Sequence, residues 1–446
     1  MLILLALLIL AVPVFFRRSL MLKPIEQTRI LDLGLFFALV VSAYGALPLI
    51  GIALADLGIG ALSDNRLGGV IPAQEAVINV GLMYLLFLVG FTLCYLTILK
   101  RNTTHSLSPT WTRPSRMSVW IATAILIAIK VGLFATRTAM DIKQGSDYLG
   151  TYAELAGLPL FVQQIIGVFT ATELSATILF IVVIIARNPR LHIWIGALLL
   201  LQIVPAIFGG GSRSYAFACI LAYVVARSLF DRRIGSPYIF AMGGIGIFAF
   251  LTAGLIRQAM ISGDTVSGLY LIQGGEFFSV FINAVDIAEK QSNFAEPLFG
   301  IGLYLVDLLR LVPQQITGDF KLDPATFYVK TFYPEFSAAG GGLAFGAIAE
   351  SALGFGAREA LVRGALVGCL YGLIRRACLE RRSTVVSAFV YTWFVVLSYQ
   401  AIRDTTFSVF PRFIFQVVPI LVVLRLTGVL RPALSCVVPD ANTKKA

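Results

Sequence analysis

Apolar runs long enough to cross a bilayer recur along the whole chain. A transmembrane helix needs roughly 20 consecutive apolar residues, and on this basis hydropathy predicts about eleven spans. They lie near residues 1–16, 30–55, 76–99, 117–135, 161–186, 191–208, 215–230, 237–255, 359–374, 385–402 and 413–430. The pattern therefore predicts an all-α, polytopic transmembrane helical bundle.

One connection is far longer than the others. The segment from about 257 to 358 exceeds the length of ordinary loops several-fold, and segments of that size usually have a function. Within it, Leu269–Ile287 and Pro297–Val312 are amphipathic. We expect helices that lie at the outer membrane surface or dip into it, and re-entrant or crossing helices there would raise the count to twelve or thirteen spans. The chain then divides into N-terminal transmembrane helices (1–256), this outer loop or cap (257–358), and C-terminal transmembrane helices with a cytoplasmic tail (359–446).

Composition and charge agree with this topology. The chain is 58% hydrophobic and only 13% charged, which excludes an ordinary soluble enzyme. Its net charge of +11 comes from short Lys/Arg clusters in alternate connections, near 17–29, 100–116, 187–190, 227–233 and 375–382. Such clusters mark the cytoplasmic side of a membrane protein. They do not form one basic face, so we expect no nucleic acid partner.

Arginines on the opposite side depart from this charge bias. They are Arg66, Arg137, Arg213, Arg257, Arg310, Arg358, Arg363, Arg403 and Arg412. Any one of them either reaches the lipid headgroups or pairs with a carboxylate. As a set they suit an anionic headgroup, above all a phosphate or diphosphate. Arg213, Arg257 and Arg403 stand where spans emerge.

Two glycine clusters flank the long outer segment. Gly209–Gly211, before Ser212, permits a tight turn whose amides can face an anion, although a plain helix hairpin uses the same turn. The second cluster covers 340–346 and continues to Gly356, and small residues there permit close helix packing. Glu350, within it, is either paired with an arginine or exposed to a polar cavity as a general-base candidate.

Other polar residues leave similar alternatives. Lys130 and Glu173 lie in neighbouring predicted spans, where they either pair or line a polar cavity. Aromatic residues between 320 and 336, Tyr333 among them, alternate with charged residues and either contact sugars or form a packed cap. The five cysteines contain no C-x-x-C pair, and the outer loops contain no D-x-D cluster. We therefore predict no metal and no cofactor.

Three stretches together resemble a known family. Phe208-Gly209-Gly210-Gly211-Ser212-Arg213, followed by a long outer loop, resembles the Ser-Arg element of the Wzy-type oligosaccharide repeat-unit polymerases. Residues 341–356 look like that family's glycine-rich, Ala-Glu, Phe-Gly signature, and Arg403-Asp404-Thr405-Thr406-Phe407 is similar to its arginine element before the last span. The chain departs from the family at Ser214, where a glycine usually follows the arginine.

The resemblance implies a bacterial inner-membrane glycosyltransferase with its active site facing the periplasm. Such an enzyme polymerises undecaprenyl-diphosphate-linked oligosaccharide repeat units, for O-antigen of lipopolysaccharide or for exopolysaccharide, by transferring the growing glycan onto a new lipid-linked unit. The bilayer and a chain-length regulator are the other partners implied. Arg213, Arg257 and Arg403 would stabilise the departing diphosphate without a metal, and Glu350, or else Asp404 or Glu276, would activate the acceptor hydroxyl. The predicted substrate-binding residues are Gly211, Ser212, Glu276, Arg310, Tyr333 and Asp404.

Other functions fit part of the pattern. A flippase or exporter for the same lipid-linked oligosaccharide also needs arginines for the diphosphate, but it predicts polar residues spread through the spans. An O-antigen ligase is expected to carry a histidine on the outer face, and both histidines of this chain adjoin the Lys/Arg-rich connections. A purely structural membrane protein would leave the clustered outer arginines without a role.

Overall fold

The computed structural model describes residues 1–21, 31–60, 62, 72–100, 114–139, 160–188, 213–230, 270–291, 298–312, 323–338, 344–379 and 384–427. Within these ranges every regular element is helical and no strand occurs, so the predicted all-α bundle is confirmed. The predicted spans at 191–208 and 237–255 lie outside the described residues.

Long helices precede the outer segment, short helices build it, and further helices follow it. The first group is α1 (Leu2–Met21), α2 (Leu33–Asp56), α3 (Gln74–Lys100), α4 (Arg116–Ala139), α5 (Leu160–Arg187) and α6 (Arg213–Phe230). The second is α7 (Tyr270–Gln273), α8 (Glu276–Gln291), α9 (Gly302–Leu309), α10 (Pro324–Phe332), α11 (Pro334–Ala338) and α12 (Ala347–Leu353). The third is α13 (Ala357–Leu379), α14 (Val385–Leu397), α15 (Gln400–Arg403), α16 (Val409–Arg412), a π-helical stretch (Phe413–Val417) and α17 (Val418–Leu426).

Six described segments are long and apolar enough to cross a membrane, which makes the chain a multi-pass membrane protein. They are Leu2–Leu20, Leu33–Asp56, Gln74–Lys100, Arg116–Leu133, Val385–Arg403 and Val409–Leu426. Large apolar side chains on several helices face outward, as lipid-contacting residues do. Leu4 and Leu7 of α1 and Trp120 of α4 are all more than half exposed.

Glycines let α3 and α13 pack with their backbones in contact. A Cβ added to Gly364 or Gly368 would collide with the carbonyl oxygen of Phe87 or Phe91, respectively, and one added to Gly90 would collide with the carbonyl oxygen of Leu361. Gly364 and Gly368 are four residues apart and therefore share one face of α13. Small residues at this spacing are the usual basis of tight helix packing in membranes.

The ends of α2, α3 and α13 that lie beside the Lys/Arg-rich connections are held together by one carboxylate. Asp32 caps α2 by accepting from the amides of Gly34 and Leu35, and its Oδ1 also accepts from the Tyr95 hydroxyl at 2.8 Å. Its Oδ2 accepts from Nε of Arg375 at 2.6 Å. Because these partners lie on different helices, the capped end of α2 fixes the register of α3 and α13.

The outer segment enters the bundle. Gln273 at the end of α7 donates to the carbonyls of Gly51 and Ile59, at the outer end of α2. Three residues later α8 begins at Glu276, which accepts from the hydroxyl of Tyr44, near the middle of α2. The stretch predicted to be helical at 269–287 forms α7 and α8, and α8 packs against α2, α3 and α12.

The second amphipathic stretch, 297–312, also forms a helix. In α9, Leu305 and Leu308 are exposed whereas Leu303 and Asp307 are buried. Apolar residues facing out and a carboxylate facing in suit a helix at a membrane surface, since lipid replaces water on the outer side. α9 therefore carries Asp307 into the protein.

Lys130 of α4 and Glu173 of α5 form an ion pair with an Nζ to Oε1 distance of 2.7 Å. Pairing was one of the two alternatives for these residues, and the structure confirms it. The pair cross-links two neighbouring helices, which satisfies charges that are costly inside a membrane.

The packing of α3 on α13 predicts the cost of adding a methyl group. Gly364→Ala and Gly368→Ala each force backbone atoms apart, and we expect each to cost about 1–3 kcal/mol, as overpacking does. Thermal unfolding of the purified protein in detergent measures the effect. Gly302→Ala at the start of α9, where nothing lies within 4 Å of an added Cβ, is the matched control. Equal stability of all three variants would contradict the close α3–α13 contact.

Candidate functional site

A fully buried arginine organises the outer end of α13. Arg363 has no exposed surface. Its Nε donates to Glu359 Oε1 at 2.7 Å, and its Nη1 lies 2.9 Å from Asp307 Oδ2 and 3.1 Å from Glu350 Oε2. These carboxylates come from α13, α9 and α12. We call Arg363 and its three carboxylates the inner cluster, and it joins three helices through one guanidinium.

Glu350 belongs to the inner cluster and is not among the residues that line the cavity described below. It is completely buried, and its Oε2 also accepts from the amide of Thr406 at 2.9 Å and from the hydroxyl of Thr406 at 2.7 Å. Of the alternatives set by the sequence, the structure shows pairing with arginine. Glu350 as general base stays a prediction, but this geometry gives it a positioning role, since it binds the loop after α15 to the inner cluster.

Asp307, a carboxylate of the inner cluster, has a pKa that departs clearly from the ordinary value of an aspartate. Burial, followed by the charge of Glu350, raises the pKa of Asp307 to about 7, although Arg363 and Arg310 oppose that rise. A pKa that is higher in the folded state favours folding at acidic pH, and this contribution is lost as the pH rises through about 7. Asp307 therefore exchanges a proton near neutral pH.

Arg310 connects the inner cluster to a cavity. It follows α9, and its Nη1 lies 3.5 Å from Asp307 Oδ1 and 3.9 Å from Glu350 Oε1. The same nitrogen donates to the hydroxyl of Thr405, and Nη2 donates to Asp323 Oδ1 at 2.7 Å. One guanidinium thus contacts buried carboxylates on one side and the cavity wall on the other.

The cavity has a volume of about 380 Å³, within the range of small-molecule sites. It is bounded by the end of α9, the start of α10, Phe345 two residues before α12, and the loop from α15 into α16. Its lining residues are Arg310, Asp323, Ala325, Phe345, Asp404, Thr405, Ser408, Pro411 and Arg412. Two guanidiniums, two carboxylates and two hydroxyls in one cavity can bind an anionic or hydroxyl-rich ligand.

Asp404 and Arg412 form the second ion pair of the cavity wall, through Oδ2 and Nη2. The backbone of Asp404 is fixed, because its carbonyl accepts from the amide of Gly346 at 2.8 Å. Gly346 has φ +97°, and a Cβ there would lie 2.7 Å from Val280 Cγ1. A glycine is therefore required at this position, both because its φ is positive and because a Cβ would collide with Val280.

Two other predicted residues meet deeper in the bundle. Arg403 Nε lies 3.2 Å from Glu276 Oε1, which also accepts from the Tyr44 hydroxyl. Arg403 and Asp404 are adjacent in sequence, yet they contact different partners on different elements. The predicted catalytic arginine and the predicted binding carboxylate Glu276 thus form one ion pair.

The aromatic segment forms a packed cap. Asp286 of α8 accepts from the hydroxyls of Tyr328 and Tyr333 at 2.5 and 2.8 Å, and it pairs with Lys290 at 2.5 Å. Lys290 Nζ lies 4.4 Å from the Tyr333 ring centroid and 4.9 Å from that of Phe332. Of the alternatives predicted for this segment, the structure favours the packed cap, because these contacts fasten α10 to α8.

The remaining predicted residues precede or follow described parts of the chain. Gly211, Ser212 and Arg257 lie outside the described residues. Arg213 is the first residue of α6, one turn before Phe217. The ring of Phe217 is 6.1 Å from that of Tyr399, just before α15. α6 therefore begins near the element that carries Arg403.

Sequence reasoning did not assign Asp307, Asp323, Glu359 or Arg412 to the site. Two local signals were present, since Asp307 is three residues before Arg310 and Glu359 is four residues before Arg363, spacings that place side chains on one helix face. Nothing local links Asp307 to Arg363, which is 56 residues away. No arrangement of three or more His, Cys, Asp or Glu side chains suited to a metal ion occurs among the described residues.

Comparison of the chain with protein-family models, curated proteins and solved structures found no match. Its function therefore has to be inferred from its own residues.

Removal of Glu350 tests the inner cluster. Glu350→Ala leaves the buried amide and hydroxyl of Thr406 without their acceptor, and an unsatisfied buried polar group costs about 1–3 kcal/mol. We expect a clear fall in the thermal midpoint of the detergent-solubilised protein. Glu335→Ala, which removes an exposed carboxylate on α11, should change it little. A Glu350→Ala protein as stable as Glu335→Ala would show that the inner cluster does not hold the fold.

Proposed function

We propose that this protein is a metal-independent glycosyltransferase of the bacterial inner membrane that extends a glycan carried on a lipid diphosphate. In this proposal it transfers the growing glycan from undecaprenyl diphosphate onto a new lipid-linked repeat unit, at the periplasmic side. The cavity between α9, α10 and α16 is the proposed site for the reacting groups.

The observation that carries the proposal is the meeting of two stretches that resemble the Wzy-type polymerases. Glu350, in the glycine-rich stretch, binds Thr406, in the arginine-containing stretch, and Gly346 binds Asp404 through the backbone. These residues are more than fifty positions apart in sequence, yet both stretches contribute to one cavity wall. If both stretches form one site, the same function accounts for the resemblance of each stretch to the same family.

Arginines at the cavity suit the chemistry of the proposed reaction. Breaking a sugar–diphosphate bond places negative charge on the departing diphosphate, and guanidiniums stabilise that charge. Asp323 and Asp404 hold Arg310 and Arg412 at the cavity wall, where the substrate would bind. A guanidinium has five N–H donors, and the aspartates occupy only some of them.

Asp404 is the best-placed proton acceptor in this proposal. It lines the cavity, whereas Glu350 is buried behind it. A general base has to reach the acceptor hydroxyl within hydrogen-bond distance, which an exposed cavity residue can do. We therefore assign deprotonation of the acceptor to Asp404 and diphosphate binding to Arg310 and Arg412, with Arg403 and Glu276 binding substrate deeper in the bundle.

The proposal predicts a polymer ladder from purified protein supplied with a diphosphate-linked repeat unit from the surrounding gene cluster. Arg310→Ala, Arg412→Ala and Asp404→Asn should each lower the rate by roughly 100-fold or more, the usual effect of removing a group that stabilises or activates in the transition state. Gel electrophoresis of the lipid-linked products measures the rate.

The matched control is Arg358→Ala, which removes an exposed arginine at the same end of α13 and should leave the ladder intact. Thermal unfolding of each variant separates loss of activity from loss of fold. Folded wild-type protein that binds the substrate but makes no ladder would contradict the polymerase proposal and favour a flippase.

A further inference from the structure

The inner cluster and Arg310 together hold more carboxylates than cations. Asp307, Glu350 and Glu359 are buried, and the guanidiniums they contact are those of Arg363 and Arg310. Arg310 also forms an ion pair with Asp323 on the cavity side. Burying an uncompensated charge is costly, and a buried acid avoids this cost by binding a proton.

The structure provides a place for such a proton. Oε1 of Glu350 is buried and has no hydrogen-bond partner among the described residues. Its other oxygen shares Arg363 Nη1 with Asp307, so the two acids face each other across one donor nitrogen. Burial and the charge of Glu350 raise the pKa of Asp307 to about 7, in agreement with this arrangement.

The charged groups around the two acids lie on α13, at the end of α9 and at the start of α10. Glu359 and Arg363 face them from α13, Arg310 faces them from the end of α9, and Asp323 acts through Arg310 from the start of α10. Tyr304 of α9 packs on Arg363, with the guanidinium carbon 5.0 Å from the ring centroid. Among the described residues that face the two acids, Arg310 is the cation that also lines the cavity.

We propose that a diphosphate diester bound in the cavity draws Arg310 away from Asp307 and Glu350, and that these two acids take up one proton as it binds. The proton comes from solvent and forms one O–H bond on a carboxyl group, so the charge withdrawn from the acids is replaced. This inference rests on the proposed function, because it takes the cavity ligand to be a diphosphate diester.

Proton uptake has a direct calorimetric signature. The full-length protein in detergent is titrated with a dialkyl diphosphate, which has no titrating group of its own near neutral pH, in two buffers of the same pH and different ionisation enthalpy. At about pH 8, where Asp307 is mostly ionised, the difference in heat should correspond to about one proton per bound diphosphate. Affinity should fall up to about ten-fold per pH unit as the pH rises above about 7.

Two variants assign the proton. Asp307→Asn and Glu350→Gln keep the size of the side chain and remove one titrating group each. We expect at least one of them to bind the diphosphate without proton uptake and with an affinity that no longer depends on pH. Glu335→Gln, which alters an exposed carboxylate on α11, should take up the proton as the wild type does.

The outcomes separate this inference from the proposed function. Binding with equal heat in both buffers would overturn proton uptake and leave the diphosphate site standing. Uptake that persists in both Asp307→Asn and Glu350→Gln would overturn its assignment to these acids. Folded protein that does not bind the dialkyl diphosphate at all would overturn both proposals.

Discussion

An arginine without any exposed surface, inside a membrane protein, is stable only where carboxylates surround it. Arg363 meets this condition through Asp307, Glu350 and Glu359, which reach it from three different helices. α9 and α12, which carry Asp307 and Glu350, therefore have fixed positions relative to α13, which carries Glu359. The rest of the outer end follows from this requirement, because Asp307 also contacts Arg310 and Glu350 also binds the loop that carries Asp404.

The packing of α13 against α2 and α3 also fixes the position of the inner cluster. Glycines on α13 bring its backbone against α3, and Asp32 joins the opposite end of α13 to α2 and α3 through Arg375. These contacts set the height and rotation of α13 and hence the position of Arg363. Backbone contact and buried ion pairs are the forces available for this purpose within lipid, where apolar burial does not distinguish a neighbouring helix from the bilayer.

How far the sequence predicts this structure depends on the range of the interactions involved. The all-α membrane bundle could be predicted because hydropathy over some twenty residues determines a span. For Lys130 and Glu173 the sequence left two alternatives, pairing or lining a polar cavity, since an unpaired charge in lipid is costly. The contact of Asp307 with Arg363 could not be predicted, because the two residues lie on different helices and 56 positions apart in sequence. The same holds for Glu350, whose burial depends on a turn at Gly346 that the loop after α15 stabilises.

The central claim is that the inner cluster positions Arg310 beside a cavity that receives a lipid diphosphate. The most direct measurement is an electron cryomicroscopy map of the full-length protein bound to a non-hydrolysable lipid diphosphate sugar. The account predicts density for the two phosphates between Arg310 and Arg412, with Arg310 turned from Asp307 toward the ligand. Density for the phosphates at the opposite end of the bundle, beside Arg375 and Arg376, would contradict it.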